Sequence, residues 1–198
     1  MTTFFLIRHG LTDDVGRALS GTRAGVHLNA AGRAQAARLA ERLAHVPFDA
    51  VIASPLERAQ ETAAPIAARH RLVVETVGAI GEFQFGDWTG REIATLGDDP
   101  AWRQFNSVRS LTPAPSGELM LDVQQRGVSA LLDLHARFPD GRIAVVSHGD
   151  VIRAALLFFL GMPLDLVHRL ELSPARVSIV QMDGGVPRVM QVNGDTVA

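Results

Sequence analysis

Four consecutive apolar residues, Phe4-Phe5-Leu6-Ile7, run straight into Arg8-His9-Gly10. A strand with one wet face alternates apolar and polar side chains, and this one does not. It is therefore expected to be buried on both faces, inside a sheet covered by helices on either side. The rest of the chain supplies such a sheet and such helices. Strands are expected at Thr3–Arg8, Ala50–Ala53, Leu72–Glu75 and Arg142–Ser147, then at 177–182 and 188–192 across the turn Asp183-Gly184-Gly185.

A helix from about Ala30 to Ala44 keeps Ala36, Leu39, Ala40 and Leu43 on one face, with Arg38, Glu41 and Arg42 on the other. The stretch Ser54-Pro55-Leu56-Glu57 reads as a helix start, with Ser54 as N-cap, Pro55 in the first turn and Glu57 closing a capping box. Pro65 is expected to kink or end that helix. A third helix spans roughly 118–138 and a fourth 150–160. The fourth is apolar nearly all round, which predicts burial, and Gly161 and Pro163 stop it. Strands alternating with helices predict an α/β fold around a mostly parallel sheet, organised as a single domain over 1–198. The segment from about 83 to 117 breaks the alternation. It carries Trp88, Trp102 and Phe105 with Arg91, Arg103 and Arg109, and reads either as a lid-like insertion or as a long surface connection.

Composition narrows the chemistry. With 47% hydrophobic and 20% charged residues and a formal net charge of −2, the chain resembles neither a nucleic-acid binder nor a membrane-surface protein. Its longest apolar run, 154–160, is too short to span a bilayer, and no leader pattern opens the chain, so a cytoplasmic location is expected. There is no cysteine, and all 19 basic residues are arginine. A thiol nucleophile, a cysteine metal site, a Schiff base and a P-loop lysine are thereby excluded. No histidine pair has helical metal-ligand spacing, so no metal is expected. His27, His45, His70, His135 and His168 lie among charged or loop residues and read as surface positions.

Three predicted elements meet at one edge of the sheet: Arg8-His9-Gly10 after the first strand, Ser54 to Arg58 after the second, and Ser147-His148-Gly149-Asp150 after the fourth. The carboxyl ends of parallel strands form the usual binding edge of open α/β sheets. Glycine after each histidine permits close backbone approach, and an arginine at a helix start suits an anion. Two imidazoles and two guanidiniums at one edge predict an oxyanion pocket, with phosphate as its natural occupant. Each residue alone has an ordinary use; Arg58, for example, could pair with Glu61 on its own helix.

Four stretches, RHGLT near the start, SPLERAQETA at 54–63, EFQFGDWTG at 82–90 and SHGDVIRA at 147–154, resemble the histidine phosphatase superfamily, branch 1, the phosphoglycerate mutase-like group. The resemblance implies a three-layer α/β/α sandwich and a phosphoric monoester hydrolase needing no metal or cofactor. It makes His9 the nucleophile, Arg8, Arg58 and His148 the phosphoryl clamp, and Glu82 the general acid and base. Ser20 and Gly21 match a loop that touches substrate in the mutases. The implied partner is a small phosphorylated metabolite.

Departures from the family pattern matter too. Val15 stands where many relatives carry asparagine, and Leu119 where serine is common. Phe83, Gln84 and Phe85 replace the arginine, histidine and tyrosine of glycolytic mutases, which draws the chain toward the small phosphatases. A phosphomutase and a phospho-ligand-binding regulatory protein with low turnover stay open as alternatives. Substrate identity and oligomeric state are not readable from the sequence.

Overall fold

In the computed structural model, which describes residues 1–195, six strands form one sheet in the order β3-β2-β4-β1-β5-β6. The strands are β1 (Thr2–Arg8), β2 (Ala50–Ala53), β3 (Val74–Thr76), β4 (Arg142–Ser147), β5 (Val177–Asp183) and β6 (Val186–Gly194). The first four run parallel, and β5 and β6 close one side as an antiparallel hairpin. The last three residues of the expected 1–198 unit lie outside the described residues.

Burial of β1 on both faces is visible residue by residue. Phe5 and Ile7 pack into one core with α1 (Ala30–Arg42) and α2 (Glu57–His70). Phe4 and Leu6 pack into a second core with α4 (Met120–Arg137) and α5 (Gly149–Phe159). Neighbouring side chains of a strand point to opposite faces, so an uninterrupted apolar run is what a sheet between two helical layers requires. The sandwich is α/β/α, as expected.

Two helix readings need correction. Helix α2 begins at Glu57, not after a Ser54 cap, and its N-cap residue Leu56 makes no side-chain capping bond. Ser54 is instead fully buried, with Oγ within 2.7 Å of His148 Nε2, while Glu57 Oε1 accepts from the Gly25 amide. Helix α2 also continues through Pro65 to His70. Its buried residues Ala59, Ala63, Ile66 and Ala67 lie on both sides of the proline, and packing against the core holds the helix where propensity alone would break it. The third strand starts at Val74 rather than Leu72, after Arg71 caps α2 in the left-handed conformation (φ 57°).

The segment 83–117 contains an unanticipated helix, α3 (Pro100–Ser107), capped by Asp99, whose side chain accepts from the Ala101 amide at 3.0 Å. Its aromatic residues are not displayed outward. Phe83, Phe85, Trp88 and Phe105 form a third core with Val151, Ala154 and Leu157 of α5, and Trp102 packs against it. Arg91 and Arg103, by contrast, lie exposed. No helix among the described residues is long and apolar enough to cross a membrane.

The turn after β1 is fixed by backbone contact. A Cβ at Gly10 would lie 2.8 Å from the Gly32 carbonyl oxygen, and one at Gly32 would fall onto the Leu11 carbonyl oxygen. Helix α1 therefore touches the His9 turn backbone to backbone. Gly32→Ala is expected to lower stability by about 1–3 kcal/mol through overpacking. Gly97→Ala, where a Cβ meets nothing within 4 Å, is expected to stay within about 0.5 kcal/mol. Denaturant midpoints of the two variants check this; equal shifts would contradict it.

Candidate functional site

Register assembles the site. β1 pairs with β4 so that Arg8 lies opposite Ser147, and β2 pairs with β4 so that Ala53 lies opposite Val146. The next residues, His9, Ser54 and His148, thus emerge side by side. The His9 amide donates to the Ser147 carbonyl at 3.0 Å and the Ser54 amide to Val146 at 3.0 Å. The His9 and His148 rings lie with centroids 5.2 Å apart. Both histidines open onto one side of the molecule, as the sequence predicted.

The two rings are oriented by different partners. His9 Nδ1 donates to the Gly10 carbonyl at 2.7 Å, which leaves the Nε2 lone pair free. Burial, and then the nearby charge of Arg58, pushes the His9 pKa down to about 3, so the ring is neutral near pH 7. His148 is fully buried, with Nε2 against Ser54 Oγ. Its Nδ1 has no hydrogen-bond partner among the described residues and lies 3.8 Å from Glu82 Oε2. Burial holds this ring well below its ordinary pKa too.

Two guanidiniums flank the histidines. Arg58 is 1% exposed; one Nη donates to the Gly21 carbonyl at 2.7 Å, while its Nε and other Nη have no acceptor among the described residues. It does not pair with Glu61, whose carboxylate takes His27 Nδ1 and the Leu28 amide instead. Arg8 donates to the Leu172 carbonyl, and its buried Nε also lacks an acceptor. Desolvation lowers the pKa of both groups. Helix α2 is tied to the His9 turn through Thr62, which accepts from the Gly10 amide and donates to the Arg58 carbonyl.

Glu82 follows β3 and a 3₁₀ turn at Gly78–Ile80. Its side chain keeps 13% exposure, and Oε1 accepts from the Phe83 amide. Burial, with the Asp150 charge adding to it, raises its pKa to about 7. Arg8, His9, Arg58 and Glu82 line one cavity of about 290 Å³ with Ser20, Gly21 and Val15, and His148 lies buried behind them. Ser20 Oγ donates to Asp14 at 2.9 Å, and Gly21 presents its carbonyl to Arg58. His168, read as a surface position, borders this cavity although it is exposed. His9, Glu82 and His148 also bring three metal-ligand-type atoms within 4.8 Å of one another. Helical spacing could not have revealed that grouping, because its members come from three separate connections.

Comparison with known proteins places this geometry. The profile of the histidine phosphatase superfamily (branch 1) matches residues 4–195. The chain belongs to that family. It is similar to the probable phosphoglycerate mutase GpmB of Proteus mirabilis, with 35% identity over 185 residues covering 91% of this chain and 85% of the relative. Among solved structures, Bacillus stearothermophilus YhfR superposes with a TM-score of 0.91 at 31% identity, over 100% of this chain and 98% of that one. A phosphoserine phosphatase mutant of Entamoeba histolytica, solved with phosphoserine, superposes with a TM-score of 0.88 at 28% identity, over 98% and 97% of the two chains. The chain is an enzyme of the histidine phosphatase type.

Sequence reading missed the clamp behind Glu82. Arg126 of α4 donates to the carbonyls of Ala79, Gly81 and Glu82 and pairs with both oxygens of Glu118. Glu118 Oε2 also accepts from the Gln84 amide, so the loop is held on both sides of Glu82. Only the pairing of a helix arginine with a loop glutamate, eight residues apart, could have hinted at it. Arg126→Gln is expected to misplace Glu82 and lower kcat/KM for alkyl phosphates by about 10–100-fold, while activated aryl phosphates lose much less. An equal loss for both classes would mark Arg126 as structural only.

Proposed function

We propose that the chain hydrolyses a small phosphorylated metabolite in two steps through a phosphohistidine on His9. The observation that carries this reading is a neutral, buried imidazole with Nδ1 tied to a backbone carbonyl and Nε2 free, set between two desolvated guanidiniums that lack counter-ions among the described residues. In the first step the Nε2 lone pair attacks phosphorus and the P–O ester bond breaks. Glu82 gives its proton to the departing alkoxide. In the second, Glu82 as carboxylate takes a proton from water, which attacks phosphorus; the P–N bond breaks and inorganic phosphate leaves.

Arg8 and Arg58 stabilise the equatorial oxygens with fixed donors in a poorly hydrated site, where such donors count most. His148 joins them through Nδ1: a Ser54 hydroxyl donating to Nε2 leaves the imidazole proton on Nδ1, which lies 3.8 Å from Glu82 Oε2. Ser20 and Gly21 support the near wall. The same two guanidiniums favour an anion over a cation at the His9–Glu82–His148 grouping, and the proposed reaction runs without a metal.

The alternative with a specific observation behind it is transfer to a second hydroxyl, favoured by the likeness to a probable phosphoglycerate mutase. Against it, Val15, Phe85 and Ile93 put apolar surface on the cavity wall. Those three side chains offer no hydrogen-bond donor to a departing intermediate. Free phosphate as the product of 3-phosphoglycerate supports the hydrolase; a 2-phospho product supports the mutase.

His9→Ala is expected to reduce turnover of every phosphomonoester to background. Glu82→Gln is expected to lower kcat/KM for alkyl phosphates by about 10²–10⁴-fold and for aryl phosphates far less; equal losses remove Glu82 from the acid role. The pH profile follows from the two shifted groups. His9 accepts phosphorus only when unprotonated, above about 3, and Glu82 donates only when protonated, below about 7. Alkyl phosphate kcat/KM should therefore fall on the alkaline side of about pH 7, and Glu82→Gln should abolish that fall. EDTA should leave turnover unchanged, and loss restored by one divalent ion would overturn the metal-free reading.

A further inference from the structure

A second cavity, of about 560 Å³, shares no lining residue with the first, and no step of the proposed reaction uses it. One wall is α1, with Gln35, Arg38, Glu41 and Arg42. The other is the stretch before β5, with Ala175 and Arg176, and Asp195, just past β6, also lines the cavity. Both walls adjoin the His9 turn from behind. The Ala175 amide donates to the Arg8 carbonyl at 2.9 Å, and Gln35 Oε1 accepts from the Leu11 amide at 2.8 Å.

Three guanidiniums meet there. Arg42 and Arg176 both pair through Nη1 with a single oxygen, Asp195 Oδ1, the second at 2.5 Å. The other Nη of Arg42 donates to the Ala175 carbonyl at 3.2 Å, and its buried Nε has no acceptor among the described residues. Arg38 stands one turn before Arg42 on α1, exposed, and pairs with no carboxylate among the described residues. Glu41, the other acid of the cavity, takes Arg69 at 3.0 Å instead. One carboxylate thus serves three cations. Burial, and then the charges of Arg176 and Arg38, lower the Arg42 pKa, so the three groups oppose one another. The fold gains little from this arrangement. Like charges one turn apart on a helix repel, and a carboxylate with 59% of its side chain exposed holds its partners weakly.

We infer that Arg38, Arg42 and Arg176 form a binding site for a diphosphate group, in which the Asp195 carboxylate stands where one phosphoryl group binds. A phosphoryl group at that place has oxygens for both Arg42 and Arg176, and the planar fork of a guanidinium suits it. A second, linked phosphoryl group meets Arg38, one turn along α1. Asp195 leaves readily, because breaking an exposed ion pair costs little. Inorganic diphosphate and a nucleoside diphosphate present the same chemistry to these arginines, and the test separates them.

Isothermal titration calorimetry of the full chain with pyrophosphate, orthophosphate and adenosine diphosphate provides the test. The titrations are run in an Arg58→Gln background, which disables the catalytic cavity; Arg8→Gln replaces it if the buried Arg58 variant does not fold. Pyrophosphate is expected to bind in that background. Arg176→Gln and Arg38→Gln are each expected to weaken the binding by about tenfold or more, through loss of a charged donor. Asp195→Asn is expected to tighten it by about threefold or more, because the competing carboxylate is gone. Arg103→Gln, which deletes the same charge outside both cavities, is expected to leave it unchanged. Orthophosphate, which reaches only part of the site, is expected to bind about tenfold or more weakly than pyrophosphate. Adenosine diphosphate bound as tightly as pyrophosphate identifies a nucleotide as the source, and weaker binding identifies the inorganic anion; either supports the site. Failure of pyrophosphate to bind in the Arg58→Gln background overturns the inference. So do indifference to Arg176→Gln, the absence of a gain in Asp195→Asn, and an equal loss in Arg103→Gln. Orthophosphate bound as tightly as pyrophosphate overturns the diphosphate assignment. The phosphatase reading is tested separately, by p-nitrophenyl phosphate turnover, which Arg38→Gln, Arg176→Gln and Asp195→Asn in the otherwise wild-type chain are expected to leave unchanged.

Discussion

A buried positive charge without its counter-ion governs this molecule. Arg58 is almost wholly removed from water, yet two of its nitrogens meet no acceptor among the described residues. Desolvating a guanidinium costs several kcal/mol, and the fold accepts that cost only at the edge of a sheet whose interior is otherwise apolar. The same desolvation keeps His9 and His148 neutral and Glu82 partly protonated near pH 7. The proposed nucleophile, acid and clamp therefore share a single cause, burial in a cavity lined with guanidiniums. Under the proposed function, a phosphoryl dianion relieves the clamp and tolerates the neutral nucleophile.

The sheet puts those groups in place. Parallel pairing of β1, β2 and β4 brings residues 9, 54 and 148 to one edge, although 139 positions separate the first from the last. Gly10 and Gly32 let α1 press against the turn after β1, and Thr62 ties α2 to the same turn. The site edge is consequently braced by a close backbone approach on one side and a threonine hydroxyl on the other.

Much of this was legible in the chain. The unbroken Phe4–Ile7 run demanded helices on both faces of the sheet, and three strand ends with Arg-His, Ser-Pro and Ser-His predicted the shared edge. What the sequence did not show has physical reasons. Ser54 looked like a helix cap because its local pattern is that of a cap; its hydroxyl is bonded to a histidine 94 positions away. Pro65 looked like a helix end because propensity is local, whereas Ile66 and Ala67 are held by a distant core. The segment 83–117 was unreadable as structure because its aromatic side chains form a core of their own with α5, a pairing no period reveals. Arg126 and Arg153 earned no notice in the sequence, and Arg109 only as one arginine of the 83–117 segment, because their partners are backbone carbonyls or carboxylates brought near only by folding.

The account stands or falls on which atom of His9 takes the phosphoryl group. With Nδ1 donating to the Gly10 carbonyl, only Nε2 faces the cavity. Rapid alkaline quench during turnover, followed by NMR assignment of the phosphorylated ring, measures this directly. Phosphorus bonded to Nε2 of His9 is the predicted result. A phosphoryl group on Nδ1, on another residue, or on no residue at all during turnover would contradict it.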